Sequence, residues 1–133
     1  MAVYIIQSKL ENLKAVRDWL GKTLLDFGVN PRTRHAIITA TNEIVTNIIV
    51  HTYREDPGGK VGVEVDYQGN TVEIRICDFR PGFRINLKSS TDSESGFGLR
   101  IVKSLMDEFF HFHDEKGNNF VLRKHVPTRV RSR

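Results

Sequence analysis

Cysteine and tryptophan are nearly absent from this chain, with one of each, Cys77 and Trp19, in 133 residues. A single cysteine cannot close an intramolecular disulfide, and the start lacks the charged, apolar and small-residue pattern of a signal peptide. The expectation is a reducing, cytoplasmic setting. No apolar run approaches the roughly twenty residues that a membrane helix needs, so no membrane partner is expected. A strong charge imbalance is missing too. Lys and Arg number 20 against 16 Asp and Glu, for a net charge of +4, and five of the basic residues, Arg123, Lys124, Arg129, Arg131 and Arg133, fall in the last eleven positions. A basic end of this kind reads first as a solvated tail, so direct nucleic-acid binding is not expected. With no linker or internal repeat in view, the chain reads as one domain over residues 1–126 followed by a basic tail over 127–133.

Hydrophobic periodicity sets the element order. Val3 to Gln7 predicts a short strand. Leu13, Val16, Leu20, Leu24 and Phe27 recur at three- and four-residue spacing and predict a helix from about Glu11 to Phe27, stopped by Gly28. Asn30-Pro31 is an N-cap followed by a proline at the first helical position, which opens a second helix running to about Val50. Val61, Val63, Val65 and Tyr67, then Val72, Ile74 and Ile76, alternate with polar residues around a Gln68-Gly69-Asn70 turn and predict an antiparallel pair. Arg80 to Ser95 is long and irregular, of the kind used for lids and binding loops. A third helix begins near Gly98, and Phe109 to His113 pairs with Phe120 to His125 across Glu115 to Asn119. The order β-α-α-β-β-loop-α-β-β gives an α+β fold, a two-layer α/β sandwich with a mostly antiparallel mixed sheet and helices on one face.

On the second helix Ile37, Ile38, Ile44, Val45, Ile48 and Ile49 share the core arc, while Glu43, Asn47 and His51 form a polar row at i, i+4 and i+8 beside the small Ala36 and Ala40. Such a row is what any amphipathic helix shows to solvent. Two features set this one apart: Asn is a poor interior helix residue, and the row lacks the Glu-to-Lys pairs that stabilise an exposed face. The residue types suit phosphoryl transfer, in which a metal bridges phosphate oxygens and a carboxylate takes the proton of the attacking hydroxyl. Asn47 offers a neutral oxygen to Mg²⁺, and Glu43 is placed one turn away to reach the nucleophile.

Two glycine-containing sites follow. Asp78 ends a strand before Phe79-Arg80-Pro81-Gly82; a carboxylate there can accept from an exocyclic amine while Gly82 lets a flat ring approach the backbone. Gly96, Phe97, Gly98 and Leu99 precede the third helix, where free N–H groups and the helix dipole favour an anion. The sequence is neither a Walker A loop nor a dinucleotide fingerprint.

The order and spacing of Glu43-x-x-x-Asn47, Asp78 with Gly82, and Gly96-x-Gly98 resembles the histidine-kinase-like ATPase superfamily, and within it the bacterial anti-sigma-factor serine kinases. The resemblance runs from the first strand to about Val126. It implies ATP and Mg²⁺ as cofactors, Glu43 as general base, Asn47 as Mg²⁺ ligand, Asp78 as the adenine contact, Gly82 as floor of the site, and Gly96 to Leu99 as the phosphate loop. It also implies a serine on an anti-sigma antagonist protein as substrate, a sigma factor as sequestered partner, and commonly a homodimer. The chain departs from the pattern at Arg80, where a glycine is usual, at Gly117-Asn118, where Gly-Thr is usual, and in a short lid whose only cations, Arg84 and Lys88, lie near its start. A non-catalytic nucleotide-binding module that switches partners is the alternative, and a nucleic-acid-binding protein built on the basic tail is the reading from another class.

Overall fold

The computed structural model describes residues 1–85 and 99–127. Five strands, β1 (Ala2–Gln7), β2 (Lys60–Gln68), β3 (Thr71–Cys77), β4 (Glu108–Asp114) and β5 (Gly117–His125), form one sheet in the order β1-β2-β3-β5-β4. Its four pairings are all antiparallel, so among the described residues the expected sheet has no parallel component. The physical reason is the connectivity: β2 to β3 and β4 to β5 are hairpins, and the crossover into β4 inserts β5 beside β3 rather than laying a parallel strand there.

Register places Val63 opposite Ile76, Val65 opposite Ile74, and Ile74 and Ile76 opposite Leu122 and Phe120. These side chains stand on one face, and all are fully buried. The three helices cover that face. In α1 (Leu13–Asp26), Val16, Leu20 and Leu24 make the buried stripe, preceded by a 3₁₀ turn over Leu10–Asn12. The helix ends in a Schellman motif: Gly28, at φ 81°, donates to the Leu25 carbonyl at 2.9 Å and Val29 to Leu24 at 3.1 Å. Asn30 then caps α2 (Pro31–Asn47), its side chain accepting from the Thr33 N–H at 2.8 Å, with Pro31 at the first helical position. Leu99 and Val102 of α3 (Leu99–Leu105) and the following Met106 complete the core.

The second helix differs from its expected form in a way that shapes the site. Regular α geometry stops at Asn47, and Ile48–Thr52 continues as a π-helical turn in which the Tyr53 N–H reaches the Ile48 carbonyl at 2.9 Å. Wide turns of this kind rotate the following residues relative to an α-helix and recur at functional sites. Arg54 and Glu55, both at positive φ, then redirect the chain toward β2. The β4–β5 loop is also tighter than expected. Asp114 pairs directly with Gly117, which leaves Glu115 and Lys116 as the turn and makes Asn118 and Asn119 strand residues.

Candidate functional site

The π-helical turn that follows α2 meets the segment that follows β3. Arg80, just past β3, donates from its guanidinium to the Thr52 carbonyl at 2.7 Å and lies over the rings of Tyr53 (5.3 Å) and Phe83 (4.8 Å). The Tyr53 hydroxyl reaches the carbonyl of Asp78 and, at 2.9 Å, that of Lys60. Burial raises the Tyr53 pKa above its usual value, which keeps the proton on this donor. Arg80, at the position where a glycine was the usual residue, is thus a strut between the loop after β3 and the helix that carries Glu43 and Asn47. Phe79 beside it takes φ 55°, a left-handed conformation uncommon for a non-glycine residue.

The row on α2 is graded in depth. Asn47 is 4% exposed, Glu43 is half-buried, and His51, beyond the π turn, is exposed. No other described side chain bonds Glu43, which leaves its carboxylate available for chemistry. The Asn47 Nδ2 is buried with no hydrogen-bond partner, and so are the hydroxyls of Thr41 and Thr52. An unpartnered buried polar atom costs about 1–3 kcal/mol, a cost that a water or a ligand bonded to it would offset. Ala40, expected to leave room beside the row, is instead fully buried in the core.

Asp78 is enclosed. It is 0% exposed, its Oδ1 accepts from the N–H groups of Arg80 and Asn118, both at 2.9 Å, and its Oδ2 accepts from the Asn118 side-chain amide at 2.8 Å. Gly117 makes this possible. At φ 135°, a Cβ there would stand 2.6 Å from Asp78 Oδ1 and 2.5 Å from the Arg80 nitrogen. Gly82 lies in an exposed turn closed by the Phe83 N–H on the Arg80 carbonyl at 3.1 Å, where an added Cβ would meet nothing within 4 Å. Leu99 opens α3 and is buried. Gly96, Phe97 and Gly98, and with them Lys88 of the lid, lie outside the described residues, as do tail residues 128–133. The roles of Asn118 and Gly117 were not read from the sequence, although a Gly-Asn pair inside a strand was a signal, since both residues are depleted in strands.

The sequence pattern of the histidine kinase-like ATPase domain matches residues 6–124. The chain belongs to that family. Among its relatives, the anti-sigma F factor of Anoxybacillus flavithermus is 32% identical over 100 residues, covering 68% of each chain, and the serine-protein kinase RsbW of Bacillus cereus is 30% identical over 99 residues, covering 65% of this chain and 61% of the other. The fold of this family member is similar to the RsbU and RsbW domains of a Mycobacterium tuberculosis protein, with a TM-score of 0.69 at 18% identity over 95% of this chain and 32% of that one. It also resembles the histidine kinase domain of a blue-light activated kinase from Erythrobacter litoralis, with a TM-score of 0.56 at 17% identity over 71% of this chain and 45% of that one.

A Mg²⁺ ion fits the residues of this ATPase-family site on one ground: Asn47 is buried with an uncommitted amide end, and the oxygen and nitrogen ends of an amide are interchangeable by a flip. Among the described residues no three His, Cys, Asp or Glu side chains gather, and Mg²⁺ asks for few protein ligands when phosphates supply the rest.

Proposed function

We propose that this chain is a cytoplasmic, ATP-dependent protein serine kinase that phosphorylates a serine on an anti-sigma antagonist protein and sequesters a sigma factor. The observation that carries the proposal is the uncommitted Asn47 amide one turn from an unpartnered Glu43, on the helix whose end is tied to Asp78 through Arg80 and Tyr53. The names of its relatives, anti-sigma F factor and serine-protein kinase, support the partner and substrate classes. No helix among the described residues is long and apolar enough to cross a membrane.

In this reading Asp78 accepts from the adenine amine, Gly82 floors the base site, and Gly96, Phe97, Gly98 and Leu99 meet phosphate through the backbone. Asn47 would hold Mg²⁺, which neutralises charge on the phosphates when bound. Glu43 takes the proton of the serine hydroxyl as that oxygen attacks the γ-phosphorus, and the bond to ADP breaks. Transfer to the serine of a matched antagonist, measured with Mg-ATP, tests the assignment. Glu43→Ala should lose roughly 10²–10⁴-fold in rate while still binding nucleotide, and transfer at the wild-type rate would remove Glu43 from the role of base.

A second reading, a non-catalytic partner-switching module that keeps nucleotide as a structural ligand, is favoured by one observation: Arg80, where a glycine is usual, ties the loop after β3 to Thr52 and Tyr53. Tight nucleotide binding without transfer to any matched antagonist would select it.

A further inference from the structure

Asn118 is fully committed. Its Nδ2 donates to Asp78 Oδ2 at 2.8 Å and to the Phe83 carbonyl, while its Oδ1 accepts from the Ile85 N–H at 3.0 Å and lies 3.3 Å from His111 Nε2. A carboxamide has two donors and two acceptor lone pairs; both donors and one lone pair are used, and the second lone pair is used in the His111 tautomer that carries its proton on Nε2. One side chain therefore joins β5 to the end of β3, to both ends of the Phe83–Ile85 segment, and to β4.

The consequence falls on Asp78, whose carboxylate is 0% exposed. The group on Oδ2 is an NH₂ donor, the same chemistry that the exocyclic amine of adenine would bring. We propose that Asn118 is a latch over Asp78: its amide occupies the position of the adenine amine, and the latch must release before an adenine nucleotide reaches the carboxylate. Asn118 thereby acts as a specificity-determining residue that lowers affinity for the correct base. The proposal rests on the nucleotide site described above.

Release is within reach of ordinary fluctuations. Each hydrogen bond of the latch is individually weak against competing water, and of the segment it holds Phe83 and Arg84 are exposed while only Ile85 reaches the core, so release need not disturb the ladder beneath it. Apparent affinity scales with the fraction of molecules already open, so a latch closed about nine-tenths of the time weakens binding roughly tenfold.

The test is calorimetric titration of Mg-ATP and Mg-GTP into wild type, Asn118→Ala and Asn118→Thr, with amide hydrogen exchange at Ile85 in wild type with and without saturating Mg-ATP. Threonine keeps a strand-compatible shape and a hydroxyl donor but cannot also hold Phe83 and Ile85. Expected are Mg-ATP affinities roughly tenfold tighter in the variants, little change for Mg-GTP, and loss of Ile85 protection when wild type is saturated. Variants that bind Mg-ATP no more tightly than wild type, or an Ile85 amide that stays protected in the complex, overturn the latch and leave the ATP site standing. If no form binds any nucleotide, the latch and the kinase proposal fall together.

Discussion

Two buried asparagines stand in the same small domain, and their surroundings are opposite. Asn118, on β5, is 0% exposed with every polar atom partnered, whereas Asn47, at the end of α2, is 4% exposed with an amide nitrogen bonded to nothing. A satisfied buried network fixes one arrangement of the elements around it, and an unsatisfied group marks a place where folding alone does not finish the structure. The contrast separates a residue that holds the nucleotide-free protein in one closed arrangement from one that awaits a ligand.

Breaking the satisfied side should cost most. Gly117→Ala forces a Cβ to within 2.6 Å of Asp78 Oδ1 at a φ of 135°. Strain and displaced hydrogen bonds together should remove about 3 kcal/mol or more of stability, read from urea midpoints. Asn118→Ala should cost less, about 2 kcal/mol, because it leaves Asp78 Oδ2 buried without its donor. An unchanged midpoint in either variant would mean that the network does not stabilise the nucleotide-free arrangement.

The unsatisfied side should respond the other way. Asn47→Leu removes an orphan donor from a buried position, so the stability of the nucleotide-free protein should stay within about 1 kcal/mol of wild type or rise. A loss as large as that of Asn118→Ala would show that Asn47 has partners in the free protein and would erase the comparison.

The smallest effect is a pH dependence. His111, whose Nε2 meets Asn118 Oδ1, has its pKa lowered chiefly by burial, with the Asn118 bond and the Asp78 charge opposing and His113 and Arg84 adding to the depression. The folded state then binds the proton less readily than the unfolded chain, so stability is retained above the ordinary value of 6.5 and declines as pH falls below it toward the lower folded value. His111→Gln should flatten that part of the stability–pH curve, and an unaltered curve would place the titration elsewhere.

The sequence was informative wherever a rule is local. Alternation in β2 and β3, the Asn30-Pro31 cap and the Gly28 stop predicted elements that the structure contains, because each depends on neighbours within a few residues. The π-helical turn at Ile48–Thr52 was not legible, since Ile48, Ile49 and Val50 fit an apolar helix face equally well in either geometry. The Asp78–Asn118 contact joins residues forty positions apart and depends on β5 lying beside β3 with β4 outside it, which composition and periodicity do not determine. Arg80 read as a departure from a glycine pattern, and its role emerged only with Thr52, Tyr53 and Phe83 around it.

Thermal unfolding with ATP, ADP and GTP, with and without Mg²⁺, on wild type and Asn47→Leu tests most directly whether the ends of α2 and β3 make one nucleotide site. At about a hundredfold excess over Kd, adenine nucleotides should raise the wild-type Tm by roughly 5–10 °C and GTP should not. Mg²⁺ should add to the shift in wild type and add nothing in Asn47→Leu. No shift with any nucleotide, or the same Mg²⁺ increment in both proteins, would contradict the account.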